Sequence, residues 1–198
     1  MATPPQVIGA VLVGGQSRRM GQDKARLQWE GEPLAARVAE RLRAVTGRVV
    51  FVGGAGRGYE DLGHPWFPDP PGLAGRGPMA GLLAALPLAE RVLLLACDLP
   101  AIEPRFLRRL LGLAGRHPVA IPLVAGRLQP LCAVYGGAGT AERARASLAV
   151  GSGRMSDLLQ VAGAITLPEL ALGPPTEVAR QLHNLNDPSA LSTITENH

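Results

Sequence analysis

Hydrophobic and polar positions follow two rhythms along this chain. QVIGAVLV (6–13) is apolar at nearly every position, without the alternation of a half-exposed strand, and predicts a strand buried on both faces. PLAARVAERLRAV (33–45) repeats its apolar residues at helical spacing with arginines on the other face, and Pro33 suits a first turn. The strand rhythm returns in RVVFV (48–52) and RVLLLAC (91–97), and the helical one in PMAGLLAAL (78–86) and PRFLRRLLGLAG (104–115). Beyond these, VAIPLV (119–124) and QPLCAVY (129–135) read as short strands around a turn at Gly126. Helical patterns over 139–149 and 154–162, a strand at AITL (164–167) and a last helix after NLNDP complete the series. GGAGRG (53–58) reads as a flexible surface loop.

Strands alternating with helices predict βαβ units: an α/β fold of three layers, with a mostly parallel central sheet covered on both faces. Right-handed crossovers then bring the C-terminal ends of the strands to one edge, where open sheets of this kind bind ligands. No stretch has the composition of a linker and there is no internal repeat, so a single domain over residues 1–198 is expected.

Composition narrows the classes. With 46% hydrophobic and 18% charged residues the chain suits a globular core. Its longest apolar run, VLLLAC (92–97), is far short of a membrane span, and MATPPQ lacks the features of a signal peptide. Cys97 and Cys132 have no metal-type spacing, which makes a reducing cytoplasm the expected compartment. The net charge of +4 comes from arginines scattered along predicted helices, and aromatic residues are only 4%. That pattern reads as solvated helix faces rather than a nucleic-acid groove, and it suits anionic small molecules.

The chemistry begins after the first predicted strand. LVGGQSRRMGQDKARL (12–27) carries three glycines, Arg18, Arg19 and Lys24, the only lysine in the chain. A glycine-rich turn lets backbone N–H groups approach phosphate closely. Neither of two standard phosphate loops fits: G-x-x-x-x-G-K-[ST] fails on spacing, and G-x-G-x-x-G fails because Gly14 and Gly15 are adjacent. Three cations in so long a loop suit a triphosphate and its departing pyrophosphate. Lysine offers a compact point charge where arginine offers a planar fork, a reason to keep one lysine in an arginine-rich chain.

Two carboxylates match this loop. Asp69 closes WFPD and Asp98 closes RVLLLACD, so a parallel sheet would carry both to the glycine-loop edge. Mg²⁺ is commonly held by one or two carboxylates plus substrate phosphates. Each aspartate also reads as an ordinary turn residue before proline.

LVGGQSRRMGQDK resembles the signature of the molybdenum cofactor guanylyltransferases, roughly L-A-G-G-x-x-x-R-M-G-x-D-K, with Val13 where the family usually has alanine. CDLP resembles the family's C-D-x-P segment, and GPMAGL (77–82) its G-P-L-A-G-L. The resemblance implies a Rossmann-like nucleotidyltransferase fold. It also implies GTP contacts from Leu12, Val13, Gly14, Gly15, Arg18, Lys24, Asp69 and Asp98, with Mg²⁺ on Asp98 and charge stabilisation by Lys24 and Arg19. The family's asparagine at the end of its second strand has no counterpart here, where VFVGG places Val52 or Gly53. GSGRMSDLL (151–159) and HNLNDPSAL (183–191) resemble acceptor-side segments, making Arg154, Asn184 and Asn186 candidate contacts.

The implied reaction joins GMP from GTP to the molybdopterin form of the molybdenum cofactor, giving the guanine dinucleotide and pyrophosphate. Implied partners are GTP, the molybdenum cofactor, and other cofactor-biosynthesis proteins or acceptor enzymes, with no nucleic acid and no membrane. A CTP-dependent cytidylyltransferase for the same cofactor, a non-catalytic nucleotide-binding module and a Rossmann-type oxidoreductase are the rivals. LVGG, where CTP enzymes tend to read L-A-A-G, favours GTP.

Overall fold

The computed structural model describes residues 6–14, 23–54 and 58–185. β1 (Val7–Leu12) is followed by a three-residue 3-10 helix (Lys24–Arg26) and a small hairpin of β2 (Gln28–Trp29) and β3 (Glu32–Pro33). α1 (Leu34–Thr46) then buries Leu34, Val38 and Leu42 and stops at Gly47, whose φ of 71° closes the last turn. β4 (Val49–Val52), a 3-10 turn (Glu60–Leu62), β5 (Trp66–Phe67), α2 (Pro78–Ala85) and β6 (Arg91–Ala96) complete the first half. The second half runs through α3 (Pro104–Ala114), β7 (Val119–Val124), β8 (Arg127–Leu128), β9 (Cys132–Gly136) and α4 (Ala138–Ala149). A 3-10 segment (Met155–Gln160), β10 (Ile165–Pro168), α5 (Glu169–Leu172) and α6 (Pro175–Gln181) follow.

One eight-stranded sheet runs in the order β10-β7-β9-β6-β1-β4-β5, with β8 pairing β7. β1 pairs in parallel with both β4 and β6, and β9 is antiparallel to its neighbours β6 and β7. The expected α/β architecture with a mostly parallel sheet is present. Its continuous apolar strands have a direct explanation. Val11, Leu93 and Leu95 enter one core layer with Leu42, Phe51 and Leu107, while Ile8, Ala10, Val92 and Leu94 enter the other with Met79, Leu82 and Tyr135. Side chains alternate faces, and both faces are covered. Each fully buried leucine or isoleucine contributes about 1.5–3 kcal/mol relative to exposure.

The chain leaves β1 toward β4 and β5, then returns to place β6 on the other side of β1. That reversal opens a crevice at the C-terminal ends of β1, β4 and β6, the place where such sheets take ligands.

Several expectations are corrected. The helix expected over 154–162 is a 3-10 segment at Met155–Gln160, where Gly151 and Gly153, both at positive φ, interrupt the chain after α4. The strand expected over 129–135 starts only at Cys132, because residues 129–131 turn between β8 and β9. α1 begins at Leu34, and Pro33 stands outside it as the capping residue. α5, α6 and the β2–β3 hairpin have no counterpart in the sequence reading, being too short for a periodic signal. The helix expected after NLNDP lies outside the described residues. No helix among the described residues is long and apolar enough to cross a membrane.

Candidate functional site: a cleft at the switch point

A cleft of about 450 Å³ opens where the chain reverses, lined by residues from the ends of β1, β4 and β6 and from the approach to α2. One wall is main chain. Gly14 has φ 75°, and a Cβ there would stand 2.7 Å from the Cα of Gly54, so the turns after β1 and β4 touch backbone to backbone. Only glycine at both positions allows that approach. Gly53 and Gly54 therefore belong to the cleft, and Gly53 is buried, which corrects the reading of 53–58 as a surface loop for these two residues. Trp66 fixes this wall from behind, its indole Nε1 donating to the Gly53 carbonyl at 2.9 Å.

Lys24 stands opposite. It opens the 3-10 turn that Asp23 caps, Asp23 Oδ1 accepting the N–H of Ala25 at 3.0 Å. Its Nζ donates to Asp98 Oδ2 at 3.2 Å, and both side chains keep partial access to solvent, 25% and 17%. Asp98 follows β6 directly, and its loop is pinned from two sides. Arg37 on α1 donates to the Pro100 carbonyl at 3.2 Å, and Leu185 donates its N–H to the Asp98 carbonyl at 2.9 Å.

Asp69 lies deeper between the walls. Its Oδ2 accepts from the N–H of Gly75 at 3.0 Å, while its N–H donates to the Gly54 carbonyl at 3.0 Å. Its Oδ1 is buried with no hydrogen-bond partner among the described residues. Burial pushes the carboxyl above the ordinary aspartate range, and the N–H groups of Gly75 and Gly54 only partly oppose the shift. An orphaned acceptor on a ligand-sized cleft is a place for a ligand hydroxyl or amino group. Cys97 also lines the cleft, but burial and then the charge of Asp98 push its thiol up to about 12, so it is no nucleophile.

The structure thus brings Leu12, Val13, Gly14, Lys24, Asp69 and Asp98 to one cleft. Val13 is 5% exposed and packs into the core layer with Phe51, so valine in place of alanine changes the packing beneath the cleft. Gly15, Arg18, Arg19 and Asn186 lie outside the described residues. Arg154 is exposed at the start of the 155–160 turn and does not line the cleft. Asn184 is exposed, but it adjoins Leu185 and so sits beside the Asp98 loop. Sequence reasoning missed Asp23 as a cap and Tyr59 as its partner. Asp23 stood inside the quoted signature, and nothing in the sequence pointed to Tyr59.

Residues 9–164 match the family described as the MobA-like NTP transferase domain.

The chain belongs to that family.

Every residue lining the cleft falls inside the MobA-like stretch. A relative from Pelotomaculum thermopropionicum, named "Probable molybdenum cofactor guanylyltransferase", is 41% identical over 132 residues, 66% of this chain and 63% of the relative. The molybdenum cofactor guanylyltransferase of Rhodobacter capsulatus is 38% identical over 117 residues, 57% of this chain and 61% of its own. The aligned part spans less than two thirds of both relatives. Among solved structures, molybdopterin-guanine dinucleotide biosynthesis protein A from Archaeoglobus fulgidus superposes with a TM-score of 0.76. It covers 96% of this chain and 97% of that one at 24% identity, a likeness of fold.

No group of three metal-type side chains close enough to hold an ion occurs among the described residues of this MobA-like chain. Two carboxylates, Asp69 and Asp98, share the cleft instead. That donor set fits Mg²⁺ arriving with phosphates rather than a cage made by protein alone.

Proposed function

We propose that this MobA-like protein transfers GMP from GTP to the molybdopterin form of the molybdenum cofactor, releasing pyrophosphate. The observation that carries the reading is the Lys24–Asp98 pair, 3.2 Å apart at a cleft walled by glycine main chain. The names of the relatives support the choice of nucleotide and acceptor.

In this reading the cofactor's terminal phosphate oxygen attacks the α-phosphorus of GTP in line with the leaving pyrophosphate. The attacking oxygen is already ionised, so the protein supplies position and charge rather than a general base. Lys24, a compact charge on a flexible stem, neutralises phosphate charge from one side of the cleft, with Arg19 and Arg18 assigned the same task from the glycine-rich loop. Main chain at Leu12–Gly14 holds the base edge, with Gly53 and Gly54 completing the wall beside it, and the Asp69 carboxylate accepts from the nucleoside. Asp98 would hold Mg²⁺, which when bound polarises the α-phosphoryl group. Asn184, beside the Asp98 loop, is assigned to the acceptor, and Arg154 to its anionic end from further out.

The test is nucleotide binding by calorimetry with and without Mg²⁺, followed by a pyrophosphate-release assay with molybdenum cofactor as acceptor. GTP binding that depends on Mg²⁺, with release only when acceptor is present, is the expected result. A clear preference for CTP would replace the guanylyl reading with a cytidylyl one. Nucleotide binding without any release in the presence of authentic acceptor would leave a binding module.

A further inference from the structure

Lys24 sits on a helical turn of three residues, and so short a 3-10 piece has little stability of its own. What holds the turn decides where the ammonium points. Asp23 caps it through Oδ1, and the other carboxylate oxygen, Oδ2, accepts the hydroxyl of Tyr59 at 2.7 Å. Tyr59 comes from the β4–β5 connection, 36 residues away, and is only 7% exposed. Burial, then the bond to Asp23, pushes its hydroxyl far above the usual phenol range, so it stays a donor at every working pH.

Two further contacts close the same joint. The Arg26 guanidinium lies 5.3 Å from the centre of the Tyr59 ring and grips Asp61 with two bonds of 2.6 and 2.9 Å. Arg26 also donates to the Gly58 carbonyl at 3.2 Å. The Tyr59 hydroxyl is 3.5 Å from where a Cβ on Gly14 would stand, which puts it against the cleft wall. One hydroxyl therefore ties the lysine turn to the β4–β5 connection, beside the β1 turn.

We propose that Tyr59 is a positioning residue that acts through Asp23 to aim Lys24 at the phosphates of a bound nucleoside triphosphate. The proposal rests on the nucleotidyl-transfer reading above and adds a residue which that reading does not use. Without the hydroxyl, Asp23 keeps its cap on Ala25 but loses the anchor that orients its carboxylate. Arg26 still ties the turn to Asp61 and Gly58 and lies 3.9 Å from Asp23 Oδ2, but the carboxylate can swing on that longer contact, and Lys24 loses its fixed direction while the base wall stays intact.

The experiment is a cycle of Tyr59→Phe, Lys24→Met and the double variant in the full chain, read by calorimetry with Mg²⁺-GTP and with guanosine, and by single-turnover transfer. Phenylalanine keeps the ring, so the fold is retained. Tyr59→Phe is expected to weaken Mg²⁺-GTP binding and slow transfer by roughly tenfold, the worth of one hydrogen bond to a charged acceptor. Guanosine affinity should stay unchanged, and adding Tyr59→Phe to Lys24→Met should cost nothing more. Asp23→Asn, which retains the cap and whose amide nitrogen can donate to the tyrosine oxygen instead of accepting from it, should lose less than Tyr59→Phe. Equal losses in the presence and absence of Lys24, or an equal loss for guanosine, overturn the positioning role. A wild-type protein that binds no triphosphate overturns the nucleotidyl-transfer reading itself.

Discussion

The side-chain carbonyl of Gln181, on α6, accepts the backbone N–H of Glu103 at 2.7 Å and so finishes the N-terminus of α3 from across the molecule. In a capping box this task falls to a Glu or Gln three residues into the helix, where this chain has Phe106. Gln181 is fully buried, and its Nε2 has no partner among the described residues. The residue carries a desolvation cost that its packing alone does not justify.

Replacing Gln181 with methionine therefore removes the acceptor and strands the Glu103 N–H. The expected loss is about 1 kcal/mol in a denaturant titration, because the part-buried Glu103 N–H is stranded while the cost of the unpaired Nε2 is removed with it. Gln181→Glu, protonated in its buried setting, should recover much of that difference, because its carbonyl oxygen takes the same place.

Lys24→Ala and Asp98→Asn are each expected to slow the proposed guanylyl transfer by roughly a hundredfold to a thousandfold, the range for one preorganised electrostatic group. Circular dichroism should show both variants folded. Lys24→Arg is the finer test: the planar fork spreads over several donors the charge that the compact ammonium concentrates on bridging phosphate oxygens, so it should remain well below wild type in single-turnover assays. Full activity in Lys24→Arg would remove the argument for a compact cation.

Gly54→Ala should damage the site through the backbone. Position 54 has φ 76°, and a Cβ there would lie 3.2 Å from the Cα of Gly14. Strain at such a position costs on the order of 1–3 kcal/mol, and relief requires the two turns to part. Lower thermal stability together with weaker nucleotide binding is the expected pair of readings.

The Asp69 carboxyl is raised in the folded protein, chiefly by burial. Between the ordinary aspartate pKa and the raised value, the folded state binds more protons than the unfolded one. Stability from this group is thus fully present below the unfolded pKa and declines as pH rises through the folded pKa. Asp69→Asn, which carries no charge to desolvate, should flatten that part of the stability profile in thermal melts from pH 3.5 to 7. It should also weaken nucleotide binding, the trade expected where a strained group serves a ligand.

How far the sequence foretold this molecule depends on the scale of the signal. The long apolar run 6–13 became β1 because its side chains feed both core layers in turn, and the helical period of 33–45 became α1 because its apolar face covers one of them. Asp69 and Asp98 could be placed at one edge because strand ends in a parallel sheet share an edge, and both line the cleft. Gly53 and Gly54 were misread because glycine signals a loop equally well whether it faces solvent or another backbone. The Tyr59–Asp23 contact left no trace, since a tertiary hydrogen bond across 36 residues has no local pattern.

A wall of main chain at Leu12–Gly14 and Gly53–Gly54 has consequences for how such a cleft is surveyed. Alanine scanning removes side chains, and along this wall it finds few to remove, so the donors and acceptors facing the ligand would go uncounted. Amide-to-ester replacement or hydrogen exchange would register them directly. Related chains can likewise drift in sequence beside this surface and leave its pattern of N–H and C=O groups untouched, so long as the path of the backbone is kept.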